Sequence, residues 1–251
     1  IGFSLLMFIS GKISNDYRVF FTLVALIISL TYIYLFSKIF FDNKDRKYLN
    51  YTDISMICFL MFISSWYFAF TTNGLRQGIA LPILYLSLYY FVFEKNRFKS
   101  LIYFLISLSF HVSGLLFIPF IFLLNMKGSY VWLLWLLMLI GYFLGVNEVL
   151  VKSISDSTGL PLYKAIKYYA VVRGEDPESS LYHGFDLRFV LYTAFWPILG
   201  ELVIMIRKKY MVEDTHGLKN IVRLYITLNM LYFLFGFGGF SNRYAAMSWF
   251  L

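Results

Sequence analysis

The chain alternates long apolar runs with short polar breaks, and the runs have helical length. Residues 1–11 are apolar but too short to cross a bilayer, which suits an interfacial or re-entrant helix. Spanning helices are predicted from about Tyr17 to Phe41, from about Thr52 to Phe70, and from Leu75 to Phe93. Pro82 lies inside the third. It cannot donate to the carbonyl of Gly78, so the helix is expected to bend there, with the freed carbonyl facing protein or a wet cavity. The run from Ser100 to Leu124, with its flanks, would measure roughly 40 Å as one helix, too long without strong tilt. His111-Val112-Ser113-Gly114 interrupts it and Pro119 frees the carbonyl of Leu115, so two shorter helices, about 100–111 and 113–125, are expected to meet at the histidine. A spanning helix from about Tyr130 to Leu150, a long polar stretch (151–185) and helices from about Asp186 to Ile206 and Leu218 to Phe235 complete the pattern. A Gly-rich turn at 236–240 then opens a last segment. The expected fold class is an all-α, polytopic transmembrane bundle. It would have about eight or more membrane helices, broken or re-entrant segments, and 151–185 as an external loop of one membrane domain spanning 1–251.

Composition sharpens this picture. Of 251 residues, 60% are hydrophobic and 14% charged, where a soluble domain carries close to a quarter, so the chain is an integral membrane protein. The net charge of +8 does not point to nucleic acid, because most lysines and arginines sit in short loops between apolar runs, the signature of membrane orientation. With 42–50 cytoplasmic, the basic loops 94–99, 126–129 and 207–219 are also cytoplasmic only if 100–125 is a two-part hairpin. That layout turns Arg76, His111, 151–185 and Arg243 to the outer face. Cys58 is the only cysteine, and His111, His183 and His216 show no metal-ligand spacing, so no disulfide, metal or other cofactor is expected. The chain starts at Ile1 without methionine and stops inside an apolar run, and it reads as part of a longer chain.

Polar groups at membrane depth are costly, about 2.5–3.5 kcal/mol for an arginine at a helix centre, so the clusters that keep them are candidates for function. In Asn73-Gly74-Leu75-Arg76-Gln77-Gly78, the arginine and amides could cradle an anion at a helix N-terminus, or Arg76 could snorkel to lipid phosphates. Arg243, after the Gly-rich turn, carries the same two readings. Two cations on one face match a pyrophosphate better than a single carboxylate. His111 sits at a helix break and reads as a base or as a structural hydrogen-bonding residue. Arg188 with Asp186 reads foremost as an interfacial pair. The tyrosines of 151–185, among them Tyr163 and Tyr182, suit sugar stacking or, equally, an amphipathic helix on the bilayer surface.

Three of these motifs carry a resemblance. Asn-Gly-Leu-Arg-Gln-Gly-Ile-Ala at 73–80, Phe-His-Val-Ser-Gly-Leu-Leu at 110–116 and Ser-Asn-Arg-Tyr at 241–244 resemble the EpsG/Wzy-type polysaccharide polymerases of bacterial membranes. Gly2-Phe3 and Leu6 are similar to a family segment usually preceded by an acidic residue. The resemblance implies a multi-helix enzyme of the cytoplasmic (inner) membrane, akin to GT-C-type glycosyltransferases, with its active site on the outer side. It would join oligosaccharide units carried on undecaprenyl pyrophosphate, without a metal, beside a chain-length regulator and a flippase as partners. By that implication Arg76 and Arg243 stabilise pyrophosphate, and His111 is a base or hydroxyl-orienting residue unless an upstream acid is the base. Asn73, Gln77, Asn242, Tyr244 and Arg188 would line the substrate site. The alternatives are a transporter or flippase of lipid-linked sugars, whose inverted repeats are not found in the chain, and a membrane O-acyltransferase acting on polysaccharide.

Overall fold

A computed structural model describes residues 1–42, 51–72, 74–167, 186–210, 216–238, 244–245 and 247–248. Every regular element among them is helical. The chain divides into two compact units, 1–118 and 119–251.

In the first unit, α1 (Gly2–Ile13) and α2 (Tyr17–Asp42) are followed by α3 (Tyr51–Ile63), α4 (Ser65–Thr72), α5 (Leu75–Val92) and α6 (Arg97–Phe110). On α2, burial of Val24, Ile28, Tyr32 and Leu35 repeats at helical spacing, while Leu26, Leu30 and Ile33 point outwards. A 26-residue helix that presents leucines to its surroundings on one side suits lipid on that side. By contrast α5 is buried continuously from Gln77 to Tyr90 and forms the axis of the unit. Pro82 lies inside it as expected, and Gly78 is buried, so the carbonyl that the proline frees faces protein. Beyond α6 the chain continues as a 3₁₀ turn (Val112–Phe117), α7 (Ile118–Ile121) and a second 3₁₀ turn (Phe122–Asn125). The predicted break at His111 is therefore present.

The second unit holds α8 (Gly128–Phe143), α9 (Val146–Thr158), α10 (Leu162–Lys167), α11 (Leu187–Lys209) and α12 (His216–Phe235). Here α12 is the buried axis, with Leu224 to Phe233 all shielded. Val190, Thr193, Pro197 and Ile204 form the buried stripe of α11, whereas Leu191, Phe195, Leu202 and Met205 face out.

Two sequence expectations are corrected. The helix predicted for 52–70 is interrupted at Ser64, between α3 and α4; a Ser64-Ser65 pair is a common site for such a break. The single span predicted for 130–150 is two helices, α8 and α9, bent by 94°. Gly145, at φ 71, takes the left-handed conformation that ends α8. The described residues contain three helices long and apolar enough to cross a membrane, or up to four if the bent pair is one span, beside shorter apolar helices at Gly2–Ile13 and Val112–Asn125. A hydropathy run counts apolar segments but does not say which are bent or short. The polar stretch expected at 151–185 is helical through Thr158 and again at 162–167; its remainder lies outside the described residues.

Asn147 holds the bend. Its side-chain amide donates to the carbonyls of Met138 (2.7 Å) and Phe233 (2.9 Å), tying α9 to both α8 and α12. Asn147→Ala leaves buried carbonyls without that donor and is expected to cost about 1–3 kcal/mol. A lowered thermal midpoint in detergent is the measurement; an unchanged midpoint would contradict the clamp.

Candidate functional site

The site is built on the α5–α6 hairpin. Lys95, at φ 55, turns the chain, and the Asn96 side chain accepts the Lys99 N–H (3.0 Å) to cap α6. Two serines then fix the register. Ser87 Oγ donates to the Ser100 carbonyl (2.7 Å), and Ser107 Oγ donates to the Ala80 carbonyl (2.8 Å). The two bonds are seven residues apart on each helix, as an antiparallel pair requires. Four residues further along each helix of this register, Arg76 comes level with His111. Two motifs that are 35 positions apart in sequence thus share one end of the hairpin.

The start of α1 lies at that same end. Phe3, buried, is covered by the Arg76 guanidinium, whose carbon is 4.9 Å from the ring centroid. Gly2 packs against Ser109 so closely that a Cβ would collide with the serine Oγ, and the Ile1 nitrogen donates to the Ser109 carbonyl (3.3 Å). Arg76 itself is exposed and Gln77 beside it is buried. At Gly74, the N-cap of α5, no side-chain hydrogen bond caps the helix. An arginine fork beside an uncapped helix start is a donor-rich place for an anion. Asn73 lies outside the described residues.

His111 is extended (φ −151, ψ 133) and caps the 3₁₀ turn that follows. Its Nδ1 accepts the Ser113 N–H (3.1 Å) and lies 2.7 Å from Ser113 Oγ. A ring nitrogen that accepts a backbone N–H keeps its lone pair, so the proton of the neutral ring sits on Nε2. A base acting through Nε2 would need the opposite tautomer. Of the two roles open from the sequence, this bond is the structural one.

Arg188 and Tyr244 belong to the second unit. Arg188 is exposed and forked onto Asp186 (2.9 and 3.2 Å), whose carboxyl is held below its ordinary range by that hydrogen bond and which also caps α11. It forms the ion pair with Asp186 that the sequence favours. Tyr244 packs on Phe235, with centroids 5.9 Å apart. Asn242 and Arg243 lie outside the described residues. Just before them, Tyr142 donates to the Gly236 carbonyl (3.3 Å), and Tyr163 stacks on Phe237 while its hydroxyl donates to Glu148 (2.9 Å). At least Tyr163, offered as a sugar platform, therefore supports the Gly-rich turn. No group of three His, Cys, Asp or Glu that could hold a metal occurs among the described residues. The sequence reading missed Phe3 as the platform for Arg76 and Ser113 as the partner of His111. Only the two-residue spacing of His111 and Ser113 signalled the second.

Fold and site together describe an all-helical membrane protein with a cationic, donor-rich end on its first unit. The chain belongs to the EpsG family, whose sequence model matches residues 1–251. Membership points to a polymerase-like role in polysaccharide biosynthesis. Comparison with curated proteins and with solved structures gave no match.

Proposed function

We propose that the protein is a membrane glycosyltransferase that polymerises oligosaccharide repeat units carried on undecaprenyl pyrophosphate. The growing chain leaves its lipid pyrophosphate and is joined to the non-reducing end of the next lipid-linked unit, on the outer side of the cytoplasmic membrane. The observation that supports this reading, beside family membership, is the meeting of Gly2-Phe3, Arg76 and His111 at one end of the α5–α6 hairpin. Pyrophosphate is a good leaving group, so the reaction needs cations and donors on developing negative charge more than a general acid. Arg76 supplies a charged fork, held over Phe3 and free to turn its N–H groups outwards. His111 supplies an Nε2–H whose direction is set by the cap at Nδ1. Arg243 is the second cation of this reading. The base for the acceptor hydroxyl is left to a carboxylate or to the sugar's own surroundings.

Purified protein given a synthetic lipid-linked repeat unit in detergent is expected to yield a ladder of longer chains. Transport of that unit in vesicles without any ladder would favour the flippase reading and overturn this one.

Two isosteric variants separate the roles of His111. Asn keeps an acceptor near Nδ1 and loses the donor at Nε2, whereas Gln keeps a donor near Nε2 and loses the cap. As a donor, His111→Asn should lower the polymerisation rate about 10²-fold with normal expression, and His111→Gln should retain most of the rate in a less stable protein. Loss of about 10²-fold in both would restore the base role. A normal rate in His111→Asn would reduce the residue to its cap.

A further inference from the structure

The second unit contains a cavity of about 340 Å³ between the first turn of α8, the C-terminal half of α11 and the N-terminal half of α12. Its walls follow from helix register. Gly200 packs against Val222, and Asn229 Nδ2 donates to the Thr193 carbonyl (2.9 Å), so α11 and α12 run antiparallel with contacts seven residues apart on each. Glu201 and Lys208, seven apart on α11, share one face, as do Lys219, Arg223 and Ile226 on α12. The chemistry is graded along the cavity. Lys208 and Lys219 stand at the helix ends, Arg223 and Glu201 further in, and Trp132, Val222 and Ile226 form an apolar wall.

Arg223 is fixed in that wall. Its Nη1 donates to the Leu124 carbonyl (3.1 Å), and its Nη2 packs against Gly128. Three cations face one carboxylate, and among the described residues Lys208, Lys219 and Glu201 form no ion pair. Among the described residues the cavity therefore carries a net positive charge with no ion-pair partner for its lysines, next to a surface suited to hydrocarbon. On α11, Leu202, Met205 and Ile206 are exposed immediately before the lysines, so the cavity opens beside a lipid-suited face. The loop that joins α11 to α12 is one of the basic loops assigned by sequence to the cytoplasmic side, where anionic lipids are concentrated.

We propose that this cavity binds the phosphoryl headgroup of an anionic lipid. The lysines and Arg223 take the phosphate oxygens, and the Trp132–Ile226 wall takes the first methylenes of the acyl chains. The proposal is independent of the polymerase reading. Delipidated protein in a neutral detergent, titrated with phosphatidylglycerol or phosphatidylcholine and read by native mass spectrometry, tests it. Phosphatidylglycerol is expected to be retained preferentially. Lys208→Ala and Lys219→Ala should each weaken retention about five-fold, and together about thirty-fold. Lys152→Ala with Lys164→Ala, also exposed lysines of this unit, should leave it unchanged. Equal retention of the two lipids, or undiminished retention in the Lys208/Lys219 double variant, would overturn the proposal. Inorganic phosphate that competes as tightly as the lipid would overturn the lipid assignment in favour of a soluble phosphoryl ligand.

Discussion

Arg76→Ala is expected to lower polymer formation by about 10²–10³-fold while the protein still folds, because it removes a charged donor from the place where pyrophosphate would leave. The structural cost should be small. Arg76 is exposed, and its guanidinium stacked over the Phe3 ring contributes about 0.5–1 kcal/mol at such a site. Arg76→Lys separates charge from geometry. An ammonium can still sit over the Phe3 ring, but it cannot present two parallel donors to one phosphate. Weak rescue by lysine is therefore expected; full rescue would mean that only charge is needed. Rates should be read against thermal midpoint and expression, so that a folding defect is not mistaken for a catalytic one.

Gly78→Ala is expected to act on the fold instead. A Cβ at Gly78 would stand 2.6 Å from the Phe70 carbonyl oxygen and 2.9 Å from Phe70 Cβ, so α4 and α5 would have to separate. The first of these neighbours is backbone, which cannot rotate away, and the glycine lies in the continuously buried part of α5. Overpacking of this kind costs about 1–3 kcal/mol or more, enough to remove much of the folded population of a marginal protein. Gly11 provides the contrast. It lies in α1 with nothing within 4 Å of the same position, and alanine there should be neutral or stabilising by up to about 1 kcal/mol. Equal thermal midpoints for Gly78→Ala and the unaltered protein would contradict the close approach of α4 to α5.

How much of this was legible in the sequence differs by element. The break at His111 could be read, because a histidine, a serine and a glycine together interrupt an apolar run too long for one span. The helix start at Leu75 could be read for the same reason, from Asn73 and Gly74. The 94° bend between α8 and α9 could not. Only Asn147-Glu148 interrupts the apolar run there, too little to signal a sharp turn, and the side chain that secures the bend does so through carbonyls on two other helices. The break at Ser64 was hidden in the same way by apolar neighbours. For the site, residue types were legible and their company was not. That Arg76 and His111 share one end follows from the register set by Ser87 and Ser107, two residues without distinction in the sequence. The place of Phe3 beneath Arg76 depends on where α1 packs, which no local pattern encodes.

The central claim is that lipid pyrophosphate is the leaving group and that the Arg76 end of the α5–α6 hairpin receives it. The direct measurement counts undecaprenyl pyrophosphate released from a synthetic lipid-linked repeat unit against new glycosidic bonds formed by the purified protein. One release per bond is expected, with both falling together in Arg76→Ala at an unchanged thermal midpoint. Bond formation without release, or release and bond formation at the normal rate in Arg76→Ala, would contradict it.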